Sequence, residues 1–178
     1  MNYFLEGKSV GLRAFSKQDL PVWYTWFNDP DITEYMNKGI FPNSIEEQEN
    51  FYKTLAQSQT DIQFAIVTKA NNTLVGAVGI HQIAWIHRYA DISIVIGDKS
   101  AWGKGLATEA IGLVVNHAFL KTNLRRLTAG TLVKNTATIK CFEKNGFIRE
   151  GTQRKHLFSN GEYEDIVLFG LLRNEWKN

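Results

Sequence analysis

The stretch that most constrains what this chain can fold into runs from Arg88 to Phe119, RYADISIVIGDKSAWGKGLATEAIGLVVNHAF. Asp91 to Ile96 alternates polar and apolar residues, then becomes wholly apolar, which predicts a strand buried on one face and nearly so on the other. Gly97-Asp98-Lys99-Ser100 ends it, and Trp102-Gly103-Lys104-Gly105-Leu106-Ala107-Thr108 follows. From Ala107 the apolar residues recur as Ala107, Ala110, Ile111, Val114, Val115 and Ala118, one face of a helix. Glycines just before a helix let consecutive N–H groups point into one hollow. The first helical amides have no intrahelical partner, and the helix dipole adds positive potential. Together these features suit a diphosphate. The plainer alternative is that the glycines only turn the chain.

Two better-known loops are excluded. A Gly-Lys-Ser/Thr triplet is missing, because Leu106 follows Gly105. The dinucleotide pattern G-x-G-x-x-G fails at Thr108.

The remaining chain predicts one domain over residues 1–178, with a sizeable core. A net charge of +2 is too small to point to nucleic acid or an anionic membrane surface. One cysteine, Cys141, allows no internal disulfide, which suggests a reducing compartment, the cytoplasm. There is no signal-peptide pattern at the start and no apolar run of membrane-spanning length. Four scattered His and one Cys have no metal-ligand spacing, so no metal is expected.

In order, Val10–Phe15 reads as a strand. Ser16 and Asp19 resemble a capping box, with the helix itself starting nearer Leu20 and carrying Trp23, Trp26 and Phe27 on a core face. Tyr24 lies off that face and is a candidate ligand wall. A short helical turn over 31–36 follows. Ser44-Ile45-Glu46-Glu47 is a full capping box opening a helix to about Gln57. Ile62–Thr68 and Thr73–Ile83 are strands joined at Asn71-Asn72, and Gly76 and Gly79 mark bulges or close approaches. After the central helix come a strand from Leu127 to Leu132 and a helix capped by Asn135 and stopped at Gly146. Two strands, Phe147–Phe158 and Tyr163–Leu172, are joined through Asn160-Gly161. The order βααβββαβαββ implies an α/β fold with a mixed central sheet and helices on both faces.

Three motifs then converge on one family. Trp102-Gly103-Lys104-Gly105-Leu106-Ala107 resembles the acetyl-CoA loop Q/R-x-x-G-x-G/A of the GNAT acetyltransferases at Gly105 and Ala107, with Trp102 where Gln or Arg is usual. Asn135 to Phe147 is similar to the family's N-x-x-(A/S)-I-x-x-x-E-K-x-G-F segment. The ending Gly161 to Leu168 and the Trp26-Phe27-Asn28-Asp29-Pro30 entry are most like the branch that acetylates ribosomal-protein N-termini. The order of helices and strands along the chain is also the GNAT order.

The resemblance implies acetyl-CoA as cosubstrate, with no metal. It places the pantetheine along Ile94, Val95 and Ile96, the diphosphate on the loop from Trp102 through Gly103 to Thr108, and Asn135 and Phe142 on the cofactor surface, though a pure helix cap is the other reading of Asn135. It implies direct attack of a neutral amine on the thioester, with an oxyanion donor among the backbone N–H groups near Val95. Many relatives carry a Tyr acid where this chain has Phe142, so Thr138, a water or a substrate proton takes that role. The base candidates are Asp91, His81 and His156. Against them stand a salt bridge from Asp91 to Arg88, a core histidine at 81 and a solvated one at 156. The expected acceptor is a protein N-terminal amine, with a polyamine or an amino sugar as alternatives. His87-Arg88-Tyr89-Ala90-Asp91 matches a strand start of the polyamine branch. Asp29, Asp31, Glu34, Glu46 and Glu47 are acidic residues able to attract a polycation. A non-catalytic acyl-CoA sensor is the alternative from another class. Oligomeric state stays open, a homodimer being one expectation.

Overall fold

The computed structural model describes residues 2–36 and 38–177. Eight strands form one mixed sheet in the order β1-β2-β3-β4-β5-β6-β8-β7. Their ranges are β1 Leu5–Glu6, β2 Val10–Arg13, β3 Ile62–Thr68, β4 Leu74–Ala84, β5 Tyr89–Ile96, β6 Arg126–Leu132, β7 Ile148–Ser159 and β8 Glu162–Leu172. The helices are α1 Leu20–Phe27, α2 Pro30–Thr33, α3 Ile45–Gln57, α4 Leu106–Leu120 and α5 Thr136–Lys144, with 3₁₀ turns at Lys17–Asp19 and Lys99–Ala101. The expected α/β order is present. The sheet gains β1, whose two residues are too few to show any periodicity.

Two apolar clusters lie on opposite faces. The larger packs α4 and α5 against the sheet, with Ala90 and Ile92 of β5 buried in it and Ile94 and Ile96 against it. The smaller gathers Leu20, Trp23, Trp26, Phe27 and Ile32, with Tyr52, Leu55 and Val95 alongside. Residues on a strand alternate between faces. The even residues of β5 therefore face α4, and Asp91, Ser93 and Val95 face the side of α1, α2 and α3.

Local sequence explains the boundaries. Ser44 Oγ accepts from Glu47 N at 3.1 Å and Glu47 Oε2 accepts from Ser44 N at 2.9 Å, the reciprocal box that starts α3. The β7–β8 turn has Asn160 and Gly161 at φ 51° and 85°, the pair of left-handed residues a two-residue hairpin needs. The β4–β5 connection has no glycine, and Arg88 takes a φ of 61° there. Its guanidinium donates to Asn123 O at 2.9 Å and Asn123 Oδ1 at 3.1 Å, which fixes the turn to the segment entering β6.

Candidate active site

Parallel strands β5 and β6 pair over three rungs only, Tyr89↔Arg126, Ala90↔Leu127 and Asp91↔Thr128. Beyond Asp91 they part. β5 continues against β4 as far as Ile96, and β6 continues against β8 as far as Leu132. A fork therefore opens between the strand ends, and its edges carry backbone groups that the sheet does not use.

Ladder alternation says which groups these are. Gly97 N donates to Val75 O of β4 at 2.9 Å, while Arg88 O and Ala90 O accept from the β6 side. Even residues of β5 thus turn their backbone toward the fork, and Val95 turns its own toward β4. The edge groups come from Ile94 and Ile96, flanking Val95. Ile96 O is already engaged, accepting from Trp102 Nε1 at 2.8 Å. The residue standing where relatives carry Gln or Arg thus ties the loop to the end of β5.

At the open end of the fork, Gly103 and Gly105 have φ of 72° and 78°, and Gly105 is the N-cap of α4. A Cβ built on either meets nothing within 4 Å. Their glycines serve backbone conformation, and the space beside them is open. The first helical bond runs from Glu109 N to Gly105 O, so the amides of Leu106, Ala107 and Thr108 precede it without an intrahelical acceptor. Leu106 packs its side chain into the core, leaving only its amide for a ligand. Lys104 is exposed at the loop tip. Glu109, the acidic residue of the first turn, accepts from Ser9 N at 2.8 Å and so is engaged with the β1–β2 turn. Thr108 Oγ1 donates to Cys141 Sγ at 3.3 Å, and Asn145 Nδ2 donates to Thr108 O and Cys141 O, clasping α4 to α5. Free amides on an open hollow at a helix N-terminus fit a diphosphate.

On α5, Asn135 Oδ1 accepts from Thr138 N at 3.1 Å. Its carbonyl caps the helix, and its amide NH₂ is left for another partner. Thr138 is half-buried in the first turn. Phe142 is a correction. Its ring is 1% exposed and packs on Phe147 and Phe169, centroids 5.1 and 5.7 Å away. Ile139 and Phe142, three apart, form the apolar face of α5, so Phe142 lies in the core and not on the cofactor surface.

The fork's base carries titratable side chains. Asp91 sits on the last paired rung, and its Oδ1 accepts from Thr128 Oγ1 at 2.9 Å. Burial pushes its carboxyl above the ordinary range, against the opposing pull of the Thr128 hydrogen bond and His81. Arg88 is spent on Asn123, so the salt bridge from Arg88 does not form. His81 faces Asp91 across β4–β5. Its Nδ1 lies 3.2 Å from Asp61 Oδ1, and its Nε2 lies 2.7 Å from Ser93 Oγ. Gly79, opposite Ser93, is the predicted close approach: a Cβ there would sit 2.3 Å from His81 Nε2. Sequence reasoning singled out His81 and Gly79 but missed Ser93 and Asp61. His156 is exposed on β7, away from this group.

Past the fork, a pocket of about 90 Å³ lies between the end of α2, the end of β6 and the β7–β8 hairpin. Glu34, Glu162 and Glu164 line it with Tyr35 and Lys134, and Lys134 pairs with Glu164. Asp29 and Asp31 are engaged elsewhere, holding Lys99 Nζ at 2.8 and 2.6 Å. Glu47 is in its capping box.

The acetyltransferase (GNAT) domain family matches residues 9–148, and the chain belongs to it. It is an acetyl-CoA-dependent N-acetyltransferase. A spermidine N(1)-acetyltransferase of Vibrio cholerae is 28% identical over 167 residues, 94% of this chain and 95% of that one. The crystal structure of spermidine N-acetyltransferase from Vibrio cholerae in complex with CoA and spermine superposes with a TM-score of 0.88 at 26% identity, covering 97% of this chain and 100% of that chain. The ribosomal branch is represented by a putative ribosomal N-acetyltransferase of Bacillus subtilis, 32% identical over 162 residues, 91% of this chain and 82% of the relative.

Proposed function

We propose that the acceptor is a polyamine of the spermidine class, rather than a protein N-terminal amine or an amino sugar. The observation that carries this reading is the whole-length likeness to spermidine acetyltransferases in both sequence and fold. The acceptor side supports it. Three carboxylates and one lysine line the pocket beyond the fork, leaving an excess of negative charge for a polycation. Tyr35 beside them titrates above its ordinary range, first through burial and then through Glu34.

In this reading the chain supplies three services. The amides of Gly103 to Thr108 hold the diphosphate, and the Asn135 NH₂ with the Ile94 edge holds the pantetheine. The edge amides of Ile94 and Ile96 face the position where negative charge develops on the acyl oxygen. His81 at the crotch receives the amine's proton while Asp91 beside it draws the cation, and Thr138 lies one helix turn from Phe142, near the departing sulfur. Acetyl-CoA itself contributes an acyl group already activated as a thioester. The non-catalytic sensor reading gives way to the family match.

The test is thiol release from acetyl-CoA with spermidine, Ala- and Ser-initiated peptides, and amino sugars at equal concentration. Spermidine is expected to lead in kcat/KM by at least about tenfold, equivalent to about 1.4 kcal/mol. Its KM should rise with salt, as expected for an exposed polycation site. A preference for peptides would return the acceptor to the N-terminal class.

A further inference from the structure

We infer that Asp61, His81 and Ser93 form the proton path for the acceptor amine, with Ser93 as the group that meets it, His81 as the base and Asp61 as a positioning residue. The inference rests on the acetyl-transfer reading but not on which amine is used.

Asp61 is built into place. Its Oδ2 accepts from Ser58 Oγ at 2.8 Å and Thr60 Oγ1 at 3.1 Å, and its Oδ1 accepts from Gln82 N at 3.2 Å. Burial pushes its carboxyl up, but the hydrogen bonds from Ser58, Gln82, Thr60 and His81 outweigh it and hold the carboxyl below the ordinary range. The turn carrying it is pinned as well, with Ile83 N donating to Thr60 O and Trp85 Nε1 donating to Gln59 O. An ionised carboxylate only accepts. His81 Nδ1, 3.2 Å from it, must therefore carry the hydrogen. That fixes the tautomer and leaves the lone pair on Nε2. Ser93 Oγ, 2.7 Å from Nε2, then points its hydrogen at the ring. Its own lone pairs face outward, and Ser93 is exposed. It lies on the same face as Asp91, two residues into the opened part of β5. A hydroxyl poised to accept a proton at one end and to pass one on at the other is what an arriving ammonium needs.

The step balances as follows. The ammonium gives one proton to Ser93 Oγ while Ser93 gives its own to His81 Nε2. The freed nitrogen lone pair forms the C–N bond as the thioester C–S bond breaks. The second nitrogen proton leaves with the thiolate, and the imidazolium returns its proton to solvent. Two carboxylates face His81, Asp61 from the α3–β3 turn and Asp91 from β5. Asp91, bonded to Thr128, draws the cation to the fork and does not take its proton.

The experiment is the pH dependence of kcat and kcat/KM for wild type and variants, with the best amine from the panel. His81→Gln should lower kcat by about 10²–10⁴ and remove the acid limb. Ser93→Ala should lower kcat by roughly 10-fold or more, with KM for acetyl-CoA unchanged, and Ser93→Thr should restore most of it. Asp61→Asn should move the acid limb to lower pH, since a lost anion disfavours the imidazolium. Asp91→Asn should raise the amine KM and leave the limb in place. Acetyl-CoA binding by calorimetry reports whether each variant is folded, and Ser93→Ala, at an exposed position, keeps the test decisive if His81→Gln is not. Wild-type turnover with Ser93→Ala at full kcat, or a limb lost in Asp91→Asn and kept in His81→Gln, overturns the path while leaving the function standing. A wild type that releases no thiol with any amine overturns both.

Discussion

In the proposed reading the cosubstrate half of the site is made of backbone, and the acceptor half is made of side chains supplied by separate elements. On one side stand left-handed Gly103 and Gly105, the first amides of α4 and the unpaired edge of β5. Side-chain identity matters little there, which is why Trp102 can replace a polar residue. On the other side, a small core around Trp23 is fastened by ion pairs, Arg13 to Asp19 and Lys99 to Asp29 and Asp31. The difference teaches where each half should fail. Backbone sites break when conformation or local charge changes, whereas assembled side-chain sites break when one fastening is removed.

The largest expected effect is at such a fastening. Asp19 is 6% exposed, and accepts from Arg13 Nη1 and Nη2 at 2.7 and 2.8 Å and from Ser16 N at 2.7 Å. Asp19→Ala leaves Arg13 without its partner in a largely buried position, which costs about 3–5 kcal/mol. The thermal midpoint should fall by roughly 6–20 °C. Burial alone would raise this carboxyl, but Arg13 and Ser16 hold it below the ordinary value. A depressed folded pKa gives stability that is present above the unfolded value of about 3.9 and lost as pH falls through the folded one. The midpoint gap between Asp19→Ala and wild type should therefore narrow in acid. Below the transition, acetyl-CoA should still bind to Asp19→Ala. An equal loss of acetyl-CoA affinity would erase the distinction between the halves.

The next effect tests the backbone half by charge alone. Asn and Asp both tolerate a left-handed φ, so at Gly105 they differ mainly in charge. Open space beside Gly105 removes the steric objection to either. Gly105→Asn should weaken acetyl-CoA binding a few-fold. Gly105→Asp, with a carboxylate in the diphosphate hollow, should weaken it by about 100-fold, about 2.7 kcal/mol, measured by calorimetry. Equal losses for the two would mean that the phosphates lie elsewhere.

The same division explains what could be read from the chain. Gly105, the Ser44–Glu47 box and Asn160-Gly161 act within a few residues of themselves, so their chemistry is visible in local order. Gly79 was visible as a close approach, and the His81 ring is what approaches. Asp61 gave no such sign. It lies twenty residues from His81 and meets it only through the β3–β4 register and the bulge between His81 and Ala84. Arg13 and Asp19 look like the end of a strand and part of a cap, and their pairing depends on the angle of the chain between them. Phe142 was misplaced by motif alignment, although its spacing from Ile139 already marked a core face. The polyamine alternative rests on the strand start at His87 to Asp91, and the N-terminal acceptor on the likeness of the last hairpin and the Trp26 to Pro30 entry. The carboxylates around the distal pocket come from α2 and the last hairpin, more than a hundred residues apart.

Trp102 offers the smallest test and the sharpest, because it touches the backbone half through a side chain. Its ring is 47% exposed, and its indole N–H holds Ile96 O, one of the edge groups facing the fork. Trp102→Phe keeps the ring and removes a bond worth about 0.5–1.5 kcal/mol. Because the freed carbonyl can reach water, the thermal midpoint should barely move. Acetyl-CoA affinity should fall by less than about tenfold as the loop loosens from β5. Trp102→Gln, the residue common among relatives, can donate the same bond and should recover the affinity. Tighter binding by Trp102→Phe would have the opposite meaning. The indole would then compete with the pantetheine for Ile96 O, and this chain would have given up affinity for a loop held in place before the cosubstrate arrives.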